Sequence, residues 1–244
     1  MEHVVAAVNR ANQRGGRMLS VVDLVEAGTF SPTQAAWLAA RVLEGGSWLV
    51  GARPGGAGKT TVMAALLALV PRGAVVRLTA NEGDWQEARR GEYVVSYELS
   101  PGSYDAYIWG EDVRRLARLG GSGRRIVSNL HADTLEEARE QVVGQCGATE
   151  EEFRAFGLFL PLALRASRSG AVPVLERILQ ARDGRWVSIE GDPSPAGSWE
   201  PAIAGFLDRC LAQGLREVEK VRAAWLAWLD GQGREAAQAG LPQA

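Results

Sequence analysis

The sequence predicts an α/β fold with a mostly parallel central sheet, and three observations point to it. Short apolar segments alternate with helix-period segments between residues 47 and 146. Ser47-Trp48-Leu49-Val50 is almost wholly apolar, as a strand covered on both faces requires. That segment runs into a glycine-rich stretch and then into an apolar helical pattern. The composition agrees: 46% of the 244 residues are apolar and 23% are charged, the balance of a chain that buries a core. Net charge is −2, from 27 basic and 29 acidic residues, so no strong overall field draws the chain to nucleic acid or membrane.

The elements follow in order. Residues 1–30 read as one or two short helices, broken at Arg14-Gly15-Gly16-Arg17. Ser31-Pro32-Thr33-Gln34 starts a helix, with serine as N-cap, proline in the first turn and glutamine reaching back as in a capping box. Gly45-Gly46 ends that helix. After the strand at 47–50 and the glycine-rich loop, a helix is predicted over 59–70, ended by Pro71. Strands are predicted at 74–79, 93–99, 106–109 and 125–130. Helices are predicted at 112–119 and 134–146, the latter with a Thr134…Glu137 capping box. Beyond Phe153, the runs 162–168 and 172–181 read as a hairpin and 185–189 as a further strand. Residues 191–197 read as a linker. Ile203, Leu207, Cys210, Leu211, Leu215, Val218, Val221, Trp225 and Leu229 then recur at helical spacing, giving a helix or helical pair over 199–230. The expected division is an N-terminal helical segment, 1–30, a phosphate-loop domain, 31–190, and a linker with a C-terminal helical region, 191–244.

Other features exclude other classes. Cys146 and Cys210 are far apart and lack the spacing of a disulfide framework or zinc site. The N-terminus carries an acid where a signal peptide needs basic charge, and the longest apolar run, 62–70, is too short to span a bilayer. A cytoplasmic location is expected.

The chemistry is concentrated in Pro54, Gly55, Gly56, Ala57, Gly58, Lys59, Thr60 and Thr61, which follow a strand and open a helix. Glycines there let backbone N–H groups face phosphate oxygens, and the helix N-terminus adds its positive dipole end. Lys59 is placed to reach the outer phosphates of a nucleoside triphosphate, with ATP expected, and the Thr60 hydroxyl to ligate Mg²⁺. The strict form of this loop has glycine at position 53; here Arg53 stands there, with Gly51 two residues earlier.

Three further segments carry a family resemblance: Ala106-Tyr-Ile-Trp-Gly110-Glu111, Arg124-Arg-Ile-Val-Ser-Asn-Leu-His131-Ala-Asp, and Thr134-Leu-Glu-Glu-Ala138. With the loop, in this order, they resemble the traffic ATPases of type II and type IV secretion and type IV pili. Residues 23–36 and 168–178 resemble the flanking segments of the pilus and conjugation branch, so the likeness extends over about residues 20–190. The resemblance implies a RecA-like domain and a hexameric ring working beside membrane-embedded secretion or pilus platform proteins, without insertion into the membrane. It offers no nucleic-acid module.

It also assigns roles by position. Glu111 holds Mg²⁺ or orients the attacking water, and His131 senses the γ-phosphate. The family's acidic box falls on 77–84, where its Glu-Asp pair is replaced by Leu78-Thr79, which leaves Glu82 as the matching carboxylate to activate the water and Asp84 as a spare. Arg124 stands where the family has a histidine, and arginines such as Arg114, Arg115, Arg165 or Arg168 would act across a subunit boundary. Each residue has a plainer reading: Glu111 as a salt bridge at a helix N-terminus, His131 as a loop histidine capping backbone groups, the arginines as a solvated face. A nucleotide-binding subunit with little or no hydrolysis is the alternative the altered acidic box leaves open. A small-molecule kinase would need an acceptor or lid signature, and none is seen.

Overall fold

The structure is a computed structural model that describes residues 3–11, 16–53, 55–80, 83–167, 170–194 and 199–238. Among the described residues ten strands form one sheet. The central strand β1 (Trp48–Gly51) lies parallel to β6 (Arg125–Leu130) on one side and to the first part of β7 (Leu158–Ser167) on the other. Beyond β6 come β3 (Tyr93–Val95) and β2 (Val76–Leu78), both parallel. The expected parallel α/β sheet is therefore present. The segment expected as one strand over 93–99 divides: after β3 the chain resumes as β4 (Glu98–Leu99), which pairs with β5 (Tyr107–Ile108) and reaches β6 through Leu99 and Leu130.

Alternate residues of each central strand feed opposite faces. Trp48, Val50, Val95, Val127 and Leu160 join a core with α1 (His3–Ala11), α2 (Val21–Glu26), α3 (Pro32–Leu43) and α4 (Lys59–Leu67). Leu49, Val94, Ile126, Leu130 and Phe159 join a second core with α5 (Glu111–Gly121), α6 (Leu135–Arg139) and α7 (Glu150–Arg154). Helices on both faces explain why β1 has no polar alternation. Val62 through Leu67 of α4 are all buried, so that helix is covered on every side.

Local signals account for several boundaries. Ser31 and Gln34 form the predicted reciprocal cap, and the Gln34 amide also donates to Leu175 O and Gly191 O, tying α3 to the far strands. At Thr134 only half of the expected box forms. The Thr134 hydroxyl accepts from Glu137 N, while the Glu137 carboxylate accepts from Asp133 N and pairs with Arg53. The helix expected over 134–146 changes character at Glu140, where residues 140–145 widen into a π-type turn whose last bond runs from Cys146 N to Gln141 O.

The β-rich segment differs in its partition. β7 forms the hairpin with β8 (Gly170–Leu175), and the run expected as one strand over 172–181 breaks at Glu176. β9 (Arg177–Arg182) instead returns to the main sheet beside the start of β7 and pairs with β10 (Arg185–Glu190). The C-terminal pattern is a helical pair, α8 (Trp199–Ala212) and α9 (Val218–Gln238). α8 lies along α3, with the Arg41–Glu200 pair (3.0 Å) buried between them. Ile203, Phe206, Leu207, Val221 and Trp225 complete the same core that α1–α4 share with the sheet. Pro54, Glu82 and Arg168, part of the break at 14–17 and part of the linker at 191–197 lie outside the described residues.

Candidate nucleotide-binding site

The turn from β1 to α4 explains its own glycines. At Gly51 a Cβ would overlap Ala132 O and the Phe159 ring, so glycine is required where the strand ends. Gly56 and Gly58 adopt φ of +86° and +82°, the left-handed region that side chains disfavour. Gly58 is doubly constrained, because a Cβ there would sit 3.1 Å from Pro173 Cγ of the β7–β8 hairpin. Arg53 does not have positive φ. Its N–H donates to Asp133 Oδ1 (2.7 Å) and its guanidinium pairs outward with Glu137 (2.8 Å), so the loop does not need a glycine there.

Lys59, at the first position of α4, is 6% exposed. Its ammonium donates to Ala52 O (3.0 Å) and lies 3.3 Å from His131 Nδ1 and 3.6 Å from Glu98 Oε1. His131 follows β6, and its Nδ1 is also 3.1 Å from Arg53 O, while Nε2 is 3.9 Å from Glu98 Oε1. One Nδ1 cannot both accept from Lys59 and donate to Arg53 O, so the tautomer decides which bond forms. The structure thus places His131 beside the loop lysine, with a backbone contact as well.

Glu98 is a residue the sequence analysis missed. It stands at the start of β4, its side chain 6% exposed, and Oε1 has no hydrogen-bond partner among the described residues. Burial raises its proton affinity above the ordinary carboxylate range, and the charges of Lys59 and His131 pull it back only in part. A glutamate inside an otherwise apolar strand is the one local signal the sequence offered, and it does not name the partner Lys59.

Glu111 lies elsewhere. Gly110 takes φ +59°, ψ −122°, which requires glycine, and turns the chain so that Glu111 begins α5 at the surface. There it pairs with Arg114 (2.8 Å), Arg118 (3.4 Å) and Arg115 (3.8 Å). It is not among the residues that line the loop pocket. Arg165 pairs with Glu176 at 2.9 Å, and the Arg124 guanidinium donates to Ala88 O.

The loop opens into a pocket of about 650 Å³. Gly55–Thr61, Glu98 and His131 form one end, while Ser100, Tyr104 and Tyr107 with Arg17, Met18 and Leu19 form much of the rest. Among the described residues no three His, Cys, Asp or Glu side chains converge to hold an ion. A Mg²⁺ here would take much of its shell from phosphate and water, as that ion commonly does. The orphaned Glu98 oxygen and the Thr60 hydroxyl in the same pocket fit that role.

No family model matches this chain, and no curated protein does. Among solved structures it is similar to the VirB11 ATPase of the Brucella suis type IV secretion system in complex with sulphate, with 13% identity and a TM-score of 0.41 over 66% of this chain and 54% of that one. It is also similar to the ATPase DotB of Legionella pneumophila, with 11% identity and a TM-score of 0.38 over 84% and 59% of the two chains. For DotB of Yersinia pseudotuberculosis the identity is 8% and the TM-score 0.41, over 91% and 60%. The chain thus spans between 54% and 60% of the length of these proteins.

Proposed function

We propose that the chain binds Mg-ATP through the loop from Pro54 to Thr61 and hydrolyses it, with Glu98 as the carboxylate at the reacting end. The observation that carries this reading is a buried carboxylate, short of a hydrogen-bond donor, 3.6 Å from the loop lysine in one pocket. Backbone N–H groups of the loop and the N-terminus of α4 hold the phosphates. Lys59 neutralises charge that develops on the outer phosphate and the bridging oxygen. Water attacks the γ-phosphorus, the bond to the β,γ-bridging oxygen breaks, and the water's proton passes to Glu98. Burial makes Glu98 a stronger base than an exposed carboxylate, which suits that step. Mg²⁺ would be held by the Thr60 hydroxyl and would supply further neutralisation of phosphate charge, leaving Glu98 as the base.

The boxes at 106–111, 124–133 and 134–138 extend the proposal: the cycle moves a partner, as in a secretion or pilus-assembly ATPase working as a homo-oligomeric, hexameric ring. No described helix is long and apolar enough to cross a membrane, so contact with a membrane machine would run through partner proteins. In this reading Glu111 belongs to the surface network of α5 and Glu98 takes the role that the motif assigned to Glu111.

Phosphate release with Mg-ATP tests the assignment. Lys59→Ala and Glu98→Gln are each expected to slow release at least about 100-fold, the scale of a lost general base or charge clamp. Glu111→Gln is expected to stay within about threefold of wild type, as a surface ion-pair change should. Equal rates in all four proteins would sink the ATPase reading. The ion-pairing of Glu111 away from the loop favours the second reading, a nucleotide-binding subunit without turnover. ATP binding with release no faster in wild type than in Glu98→Gln selects it.

A further inference from the structure

The outer part of the pocket is built differently from its phosphate end. Glu98 and Tyr107 are direct partners in the parallel β4–β5 pair, so their side chains project to the same face. Tyr107 in turn lies against Tyr104, with ring centroids 5.2 Å apart and planes tilted by 57°. Moving outward from Lys59, the wall therefore passes from a carboxylate to two aromatic rings.

Tyr104 is 70% exposed, unusual for a large ring, yet the backbone beneath it is fixed. Asp105 receives two hydrogen bonds from Arg10 of α1, Nε to Oδ2 at 3.0 Å and Nη2 to Oδ1 at 2.8 Å. Ala106 is held at φ +55°, a strained conformation for alanine, and its carbonyl accepts from Tyr97 N, Ser96 Oγ and Thr79 Oγ1, each at 2.9 Å. The Tyr104 ring itself sits over Gly102, where a Cβ would come within 3.2 Å of it. Strain over-determined in this way recurs at ligand clamps. The described residues lining the same outer region include Ala11, Met18 and Leu19, and Arg17, whose guanidinium is already bound by Asp23. Glu98, the carboxylate of the described lining, stands at the phosphate end beside Lys59.

We propose that Tyr104, supported by Tyr107, is the platform on which the base of the bound nucleoside triphosphate stacks. This rests on the reading of the pocket as a nucleotide site. A ring carried on a backbone fixed before binding loses less conformational entropy on contact, so stacking adds affinity that the phosphate loop alone does not supply.

Inorganic tripolyphosphate, which has the phosphates and no base, separates the two ends of the pocket. Calorimetric titration with Mg-ATP and Mg-tripolyphosphate is made on wild type, Tyr104→Ala and Tyr104→Phe. Tyr104→Ala is expected to bind ATP about tenfold more weakly, the equivalent of about 1.4 kcal/mol, and tripolyphosphate within about twofold of wild type. Tyr104→Phe, which keeps the ring, is expected to match wild type for both. Unchanged ATP affinity in Tyr104→Ala, or an equal loss for the two ligands, overturns the platform and leaves the nucleotide site standing. A wild type that binds neither ligand overturns both.

Discussion

Glu98 carries a charge that its surroundings only partly support. Burial dominates its proton affinity and raises it above the ordinary 4.5, with Lys59 and then His131 opposing. The folded chain therefore keeps this proton to a higher pH than the unfolded chain does. Stability from this group is fully present below the unfolded value and is lost as pH rises through the folded one. Glu98→Gln has the shape of the protonated form and no ionisation. Its Tm relative to wild type should therefore climb as pH rises above the ordinary carboxylate value of 4.5. Thermal unfolding of both proteins over that rise in pH checks this; a difference that stays flat or falls removes the burial argument. The loop was legible because its chemistry is contiguous: Gly56 and Gly58 supply positive φ, and Lys59 and Thr60 follow at once. Glu98 was hidden because its meaning depends on Lys59, distant in sequence and brought near by strand pairing. Gly110-Glu111 has a local structural reason as well, since its glycine takes positive φ at the turn and its glutamate starts α5.

At the scale of elements, α4 is held at both ends. Its first turn belongs to the glycine-rich loop, and its last turn is capped by α9. The Arg222 guanidinium, buried, donates to Ala68 O (2.7 Å) and Val70 O (2.9 Å), and Trp225 Nε1 donates to Leu69 O (2.6 Å). These carbonyls follow the last turn, where a helix leaves acceptors open and favours a cation. Arg222→Met keeps much of the volume and removes the donors, leaving buried carbonyls short of partners. A loss of about 2–4 kcal/mol is expected in urea unfolding for Arg222→Met, and about 1–2 kcal/mol for Trp225→Phe, which gives up one neutral bond and part of a buried ring. Similar losses for the two would mean that packing, and not the charged cap, fixes α9 to α4. The sequence showed α9 as an apolar stripe but not its target, because backbone carbonyls leave no signature in side-chain pattern. Likewise Ser31 and Gln34 announced α3 locally, while the break at Glu176 follows from β9 leaving the hairpin to rejoin the sheet, which no local signal records.

For the whole molecule, the question is whether the expected boundaries near residues 30 and 190 mark separable units. The core on the α4 face draws Val4 and Val8 from α1, Val22 from α2, Leu38 from α3, and Ile203, Phe206, Leu207, Val221 and Trp225 from α8 and α9. Each large apolar side chain buried there contributes roughly 1.5–3 kcal/mol, whereas the net stability of a fold this size is about 5–15 kcal/mol. Removing both C-terminal helices would thus forfeit burial comparable to the whole margin. It would also strip Arg222 from the end of α4 and leave Arg41 without Glu200. A chain ending at Ser194 is expected to lack a cooperative thermal transition and to have lost ATP binding, although every residue of the loop remains. Circular dichroism melts and ATP titration of that chain beside the full one decide the point. A cooperative melt with ATP affinity intact would show that the segment through residue 190 folds alone and that α8 and α9 are an appendage. The opposite result would make the helical pair part of the nucleotide site's support, with α4 as the element through which it acts.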